Sequence, residues 1–342
     1  MTDPAPPMLT SHRFGTPRHT THFLASGPVD GPLMIFVHGW PSIGLMWRAQ
    51  MDAFAADGWR CIAPDLRGFG GSSAPAAVDA YTVEEAVADM AELHDHLGGE
   101  PAVWVGHDWG CCVVGALAAH HSGRSRGVVL TSLAYQPEGH ALRTLVPLID
   151  RRLYGADDYP DGQWDYYRHY TTHFETAVAD LDADRAASLK SIFRRGDPAA
   201  VGTVSPLALV TRNGGRFGAA HRAPPTRPDP ALWPPTDFGM LVRAFESHGF
   251  RPPCAWYLND DAALAYARTA PHAGRLSSPV LFIDGDFDQV CTIAGNRQGD
   301  PMRAACPDLT VTRMLAGHWL PLERKAEHIG AVRDWLRNKG LR

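Results

Sequence analysis

One segment limits the folds open to this chain more than any other. Residues Ala102 to Val105 form a short apolar run that leads into Gly106-His107-Asp108-Trp109-Gly110. A second apolar run, Cys111 to Ala119, follows at once. A strand's length of apolar residues, a small-x-acid-x-small turn and a helix's length of apolar residues predict a strand-turn-helix with Asp108 at the turn. Glycine at 106 and 110 suits that turn, because the chain reverses tightly and the helix packs close to the strand. An acid at this position also selects chemistry. A carboxylate nucleophile displaces a leaving group at saturated carbon and remains as an alkyl ester, and it is a poor choice for cleaving amides or ordinary esters.

The rest of the chain repeats the alternation. Buried-strand patterns occur at Leu33 to Val37, Trp59 to Pro64, Gly127 to Leu133, Val280 to Ile283 and Leu309 to Met314. Helical patterns occur at Trp47 to Ala56, from Thr82 to Leu97 and from about Glu323 to Arg337. Thr82 followed by Glu84 and Glu85 has the composition of a helix start. Strands alternating with helices predict an α/β fold with a mainly parallel sheet covered on both faces. Between about Tyr135 and Arg275 the pattern changes to helical runs rich in Trp, Tyr, His and Arg, with no clear buried strand. The expected organisation is a core of residues 1–134 and 276–342, with residues 135–275 inserted as a helical lid over the Asp108 turn. Within the lid, Gly214 to Asp237 is rich in Pro and Arg and reads as a long loop able to flank an entrance.

Composition narrows the partners. At 342 residues the chain can bury one large core plus an insertion. Its net charge of -5, without a basic run, argues against nucleic acid. No apolar stretch is long enough to span a bilayer. Met1 to Thr10 has no charged-then-apolar signal pattern, so a cytoplasmic location is expected. The six cysteines, at 61, 111, 112, 254, 291 and 306, form no C-x-x-C and read as reduced structural thiols. Nothing resembles a dinucleotide fingerprint, a P-loop or a metal-ligand cluster, so no cofactor and no metal are expected.

The candidate chemistry follows in chain order. His318, in Ala316-Gly317-His318-Trp319 after the last strand, is the candidate base. Asp288, in Asp284-Gly285-Asp286-Phe287-Asp288 after the preceding strand, is the candidate acid, with Asp284 and Asp286 close enough to compete. The order Asp108, Asp288, His318 is nucleophile, acid, base. In such a set the carboxylate orients the imidazole, and the imidazole takes a proton from water. After an early strand, His38-Gly39-Trp40-Pro41 can aim the Trp40 N–H at a developing oxyanion, and the Trp109 N–H supplies a second donor. His107 reads as a core histidine, and Asp65-Leu66-Arg67-Gly68-Phe69-Gly70 as a loop held by turn and ion-pair geometry.

These motifs resemble the epoxide hydrolases of the α/β-hydrolase superfamily over most of the chain. His38-Gly39-Trp40-Pro41 is similar to the family's H-G-x-P, which implies a cis bond before Pro41. Gly106-His107-Asp108-Trp109-Gly110 is similar to its nucleophile motif, and Ser188 to Arg194 to a lid helix. Gly249-Phe250-Arg251-Pro252-Pro253 with Trp256-Tyr257-Leu258-Asn259 resembles the segment carrying one ring-opening tyrosine. Trp164 to Tyr170 resembles the segment carrying the other, where the register favours Tyr167, with Tyr166 next. The resemblance implies an apolar epoxide and water as substrates and a vicinal diol as product, without a cofactor. The aromatic lid suggests a roomy pocket for bulky or aryl epoxides.

Two other readings stay open. A haloalkane dehalogenase shares the Asp nucleophile and the His base but needs halide donors; Trp109 could be one, whereas Trp40 stands where that family commonly has Asn. A fluoroacetate-type enzyme would carry arginine at position 109. A ligand-binding protein that has kept the fold without turnover is the alternative from a different class.

Overall fold

A computed structural model describes residues 9–341. The segment read above for a targeting signal therefore lies almost wholly outside the described residues. Eight strands form one sheet. They are β1 (Thr10–Gly15), β2 (Thr20–Ser26), β3 (Leu33–Val37), β4 (Arg60–Pro64), β5 (Ala102–His107), β6 (Ser125–Thr131), β7 (Val280–Gly285) and β8 (Leu309–Met314). Their order is β1-β2-β4-β3-β5-β6-β7-β8. The strands from β4 to β8 in that order pair in parallel, while β1 and β2 add an antiparallel edge.

Strands β3, β5 and β7 are buried along their whole length. A parallel strand covered on both faces gains from apolar residues at every position, which produces the continuous runs seen in the sequence. Val37 pairs with Gly106, and Gly106 with Leu130. That register aligns the carboxyl ends of β3, β5 and β6, where the loops bearing Trp40 and Asp108 emerge. The helix Val83–His96 packs on the helix Trp109–His120, and Arg48–Ala56 packs on Lys325–Asn338. The Thr82 hydroxyl accepts the Glu85 amide at 3.1 Å. An N-cap of this kind stabilises a helix by about 1 kcal/mol.

Between β6 and β7 the described chain contains helices and loops and no strand. This insertion is fixed to the core at separated points. The Trp256 indole donates to the Arg67 carbonyl at 3.2 Å, the Trp319 indole to the Ile192 carbonyl at 3.0 Å, and Arg48 pairs with Asp237 at 2.9 Å. The loop expected over 214–237 is shorter than its composition suggested, because a helix begins at Pro235. Proline is tolerated in a first helical turn, where its missing N–H has no partner to lose. No helix among the described residues is long and apolar enough to cross a membrane.

Candidate active site

Asp108 sits between β5 and the helix Trp109–His120 with φ 52° and ψ -124°. For a residue with a Cβ this backbone costs on the order of 1–3 kcal/mol and persists only where its surroundings enforce it. The surroundings are two close approaches that only glycine permits. A Cβ on Gly110 would lie 2.2 Å from the Val37 carbonyl oxygen, and a Cβ on Gly39 would lie 2.4 Å from Asp108 Oδ1. The turn therefore holds the carboxylate against the loop that follows β3. There the Trp40 amide donates to Asp108 Oδ1 at 2.7 Å, and the Trp40–Pro41 bond is cis.

Two loops at the same edge of the sheet bring the remaining charges. His318, after β8, places Nδ1 2.9 Å from Asp288 Oδ2 and Nε2 3.6 Å from Asp108 Oδ2. Asp288, after β7, accepts the amides of Val290 at 2.9 Å and Cys291 at 3.1 Å with its other oxygen. Burial alone would raise the Asp288 carboxyl, but the charge and hydrogen bond of His318 and these amides hold it below the usual range. Burial would likewise lower the His318 imidazole, yet Asp288 and Asp108 outweigh it and raise the ring above its ordinary value. Asp108 is shifted upward because burial outweighs His318 and the amides of Trp109 and Trp40. Asp284 and Asp286, which compete with Asp288 in the sequence, are occupied elsewhere. Asp284 accepts from Thr292 and from the Ile293 amide, and Asp286 pairs with Arg313.

A cavity of about 120 Å³ lies over Asp108. Trp40, His318, Tyr166 and Tyr257 form part of its wall. Burial pushes both phenols well above the ordinary value, and the Asp108 charge adds to the shift. Both therefore stay protonated at neutral pH. Tyr167, the residue favoured by register, is not in this wall. Its hydroxyl donates to Asp260 Oδ1, and its neighbour Tyr166 faces the cavity instead. Adjacent residues on a helix point about 100° apart, so a one-residue change of register exchanges a cavity position for a packing position. The cavity is also smaller than the roughly 300–1,000 Å³ of common ligand sites, contrary to the expectation of room for bulky aryl groups.

The geometry can be set beside known proteins. Residues 32–325 match the family described as alpha/beta hydrolase fold. Epoxide hydrolase A of Mycobacterium tuberculosis is 31% identical to the chain, covering 93% of it and 94% of the relative. Epoxide hydrolase B of the same organism is 32% identical, over 96% and 99%. The chain belongs to the epoxide hydrolases of the α/β-hydrolase fold. Among solved structures, epoxide hydrolase A from Mycobacterium thermoresistibile superposes with a TM-score of 0.78 at 27% identity, covering 96% of this chain and 98% of that one. An epoxide hydrolase from an endophytic Streptomyces gives 0.75 at 27%, over 96% and 95%.

Within this hydrolase, two motif residues have structural work. His107 is buried and its Nε2 lies 2.8 Å from the His318 carbonyl oxygen, which braces the loop carrying His318. Asp65 accepts the Gly44 amide at 2.8 Å, the Gly71 amide at 2.9 Å and pairs with His22 at 2.7 Å. Among the described residues one group could hold a metal ion: Asp288, Cys291 and His318 bring donor atoms within 4.8 Å of one another. Burial pushes the Cys291 thiol well up, and a protonated thiol is a poor ligand. Four wall residues were not singled out as site residues in the sequence: Leu207, Arg216, Val290 and Cys291, the last read only as a structural thiol. Arg216 lies in the segment singled out as flanking an entrance, but nothing in the sequence says which of its arginines turns inward.

Proposed function

We propose that the enzyme hydrolyses an epoxide to a vicinal diol in two steps at Asp108. One observation carries this reading: a buried carboxylate and two buried, protonated phenols line one small cavity, with the His318–Asp288 pair beside the carboxylate. In the first step Asp108 attacks a ring carbon, the C–O bond breaks, and the ring oxygen takes a proton from Tyr257 or Tyr166. An alkoxide is a bad leaving group in water, so donors of this kind are worth roughly 10²- to 10⁴-fold in rate. Tyr166 is assigned here in place of Tyr167.

In the second step His318, oriented by Asp288, takes a proton from water, and the oxygen of that water attacks the ester carbonyl carbon. The resulting oxyanion accepts the Trp40 and Trp109 amides, as the Asp108 carboxylate does in the resting enzyme. Collapse breaks the acyl–oxygen bond, and the departing alkoxide takes the proton of the new carboxyl to leave as the diol. The proton held by His318 returns to the tyrosinate, which restores Asp108, His318 and the phenols. No cofactor or metal enters either step. The helical insertion acts as the lid, because it supplies both phenols. Carbon–halogen cleavage at the same carboxylate is the second reading, and the paired phenols favour the epoxide.

The test is a mixed incubation of wild type and Asp108→Ala with epoxides and with chloro- and bromoalkanes, scored for diol and for halide. Diol from wild type alone is expected. Halide without diol would move the protein to the dehalogenases, and neither product from folded protein would leave a binding role. A single turnover in heavy-oxygen water should label Asp108 and leave the diol unlabelled, since the water attacks the acyl carbon.

A further inference from the structure

The cavity over Asp108 is not wholly apolar, because Arg216 forms part of its wall. Its guanidinium carbon lies 5.8 Å from the centroid of the Trp40 ring. Several other arginines of the insertion have carboxylate partners, while Arg194 and Arg212 donate to backbone carbonyls. Arg185 pairs with Asp182 at 2.7 Å, Arg195 with Asp229 at 2.7 Å and Arg222 with Asp184 at 3.1 Å. Arg216 has no such partner among the described residues. Asp180, which faces the neighbouring Gly215, pairs with His221 at 2.9 Å. The fully buried Tyr170 hydroxyl feels the Arg216 charge but closes no well-formed hydrogen bond.

A half-buried guanidinium has five donors in a fixed fork, and stacking on an indole satisfies none of them. The stack offsets part of the desolvation and, with only the Tyr170 hydroxyl beside the group among the described residues, leaves most of the fork free for a ligand. The group that matches this fork in shape and charge is a carboxylate. Trp40 joins the two ends of the site, since its ring carries Arg216 and its amide holds Asp108.

We propose that Arg216 recognises a carboxylate on the substrate, so that the enzyme acts on a short epoxide bearing an acid group. This rests on the reading of Asp108 as the nucleophile in epoxide opening. Asp108, Tyr166 and Tyr257 are buried while Arg216 is partly exposed, so the acid end lies toward solvent and the ring at the base. That orientation also keeps the substrate's charge away from Asp108, where like charges would repel. A cavity of about 120 Å³ fits a chain of a few carbons.

The experiment compares 3,4-epoxybutanoate with the neutral, isosteric 3,4-epoxybutanamide on wild type, Arg216→Gln and Arg216→Lys. Wild type should favour the acid, and R216Q should lower the acid-over-amide ratio of kcat/KM by roughly 10- to 100-fold. R216K, which keeps the charge and loses the fork, should fall between. Equal losses on both substrates would mean that Arg216 only packs against Trp40, and a wild-type preference for the amide would overturn the proposal outright. If neither epoxide yields diol, the reaction reading fails separately. Calorimetry with 3,4-dihydroxybutanoate and its amide then decides: binding of the acid alone, lost in R216Q, supports the carboxylate site, and equal binding of both removes it.

Discussion

The Tyr167 hydroxyl donates to the Asp260 carboxylate, whose second oxygen accepts the Leu142 amide at 3.0 Å. This contact locks the helix Asp165–Thr172 to the start of the helix Asp260–Arg268, and the lock turns Tyr166 toward Asp108. Two adjacent tyrosines therefore have different work. Tyr166→Phe should slow alkyl-enzyme formation by roughly 10- to 10³-fold, with Tyr257 left as the remaining donor. Tyr167→Phe should leave the Oδ1 oxygen of Asp260, a carboxyl raised chiefly by burial, without its donor and cost about 1–3 kcal/mol of stability. Pre-steady-state rates and thermal denaturation on both variants separate the two. A large rate loss in Tyr167→Phe with Tyr166→Phe unaffected would reverse the assignment.

In the proposed mechanism His318 is needed only in the second step, because a carboxylate attacks a ring carbon without a base. His318→Gln should therefore still form the ester and then stall. Intact-protein mass measurement after incubation with an epoxide should show Asp108 carrying one substrate, while Asp108→Ala carries none. An unmodified His318→Gln protein would mean that the histidine is required for the attack itself.

The low-pH side of activity should separate the two carboxylates of the site. Burial holds the His318 ring down, but Asp288 and Asp108 raise it above the usual ~6.5. Ester formation removes the Asp108 charge, so Asp288 is then the main raising influence on the base. Its loss in Asp288→Asn lowers the His318 pKa. The imidazole is then neutral at more acid pH, so the acidic limb of ester hydrolysis moves to lower pH even as the rate falls. Single-turnover rates against pH report this midpoint. An unchanged midpoint would mean that Asp288 orients the ring without acting on its charge.

What could be read from the chain follows from how local each feature is. The central strands were legible because burial on both faces demands apolar residues throughout, and Asp108 because its turn needs glycines at fixed offsets. The β1–β2 hairpin escaped because β1 is an exposed edge with few apolar residues to betray it. Tyr166 over Tyr167 depends on a hydrogen bond to Asp260, 93 residues away. The inward turn of Arg216 depends on Trp40, in a different part of the fold. Such contacts leave no local pattern.

Gly39 and Gly110 are both close to Asp108, yet their substitution by alanine should fail in different ways. A Cβ on Gly39 meets the Asp108 side chain first, at 2.4 Å from Oδ1 and 2.6 Å from Cβ, and also the His107 carbonyl oxygen at 2.6 Å, so the carboxylate gives way together with some of the loop backbone. It would leave the Trp40 amide, and a displacement of about 1 Å at a reacting group can cost about 10²-fold in rate. A Cβ on Gly110 meets backbone instead, the Val37 and His38 carbonyl oxygens at 2.2 and 2.7 Å. Backbone cannot rotate aside, so the helix must move off β3, at a cost of about 1–3 kcal/mol or more. Gly39→Ala should thus lose most of its turnover, together with some melting temperature from the His107 backbone contact. Gly110→Ala should lose melting temperature first. Paired kcat and denaturation measurements check this, and a Gly110→Ala protein as stable as wild type would show that the elbow is looser than these contacts require.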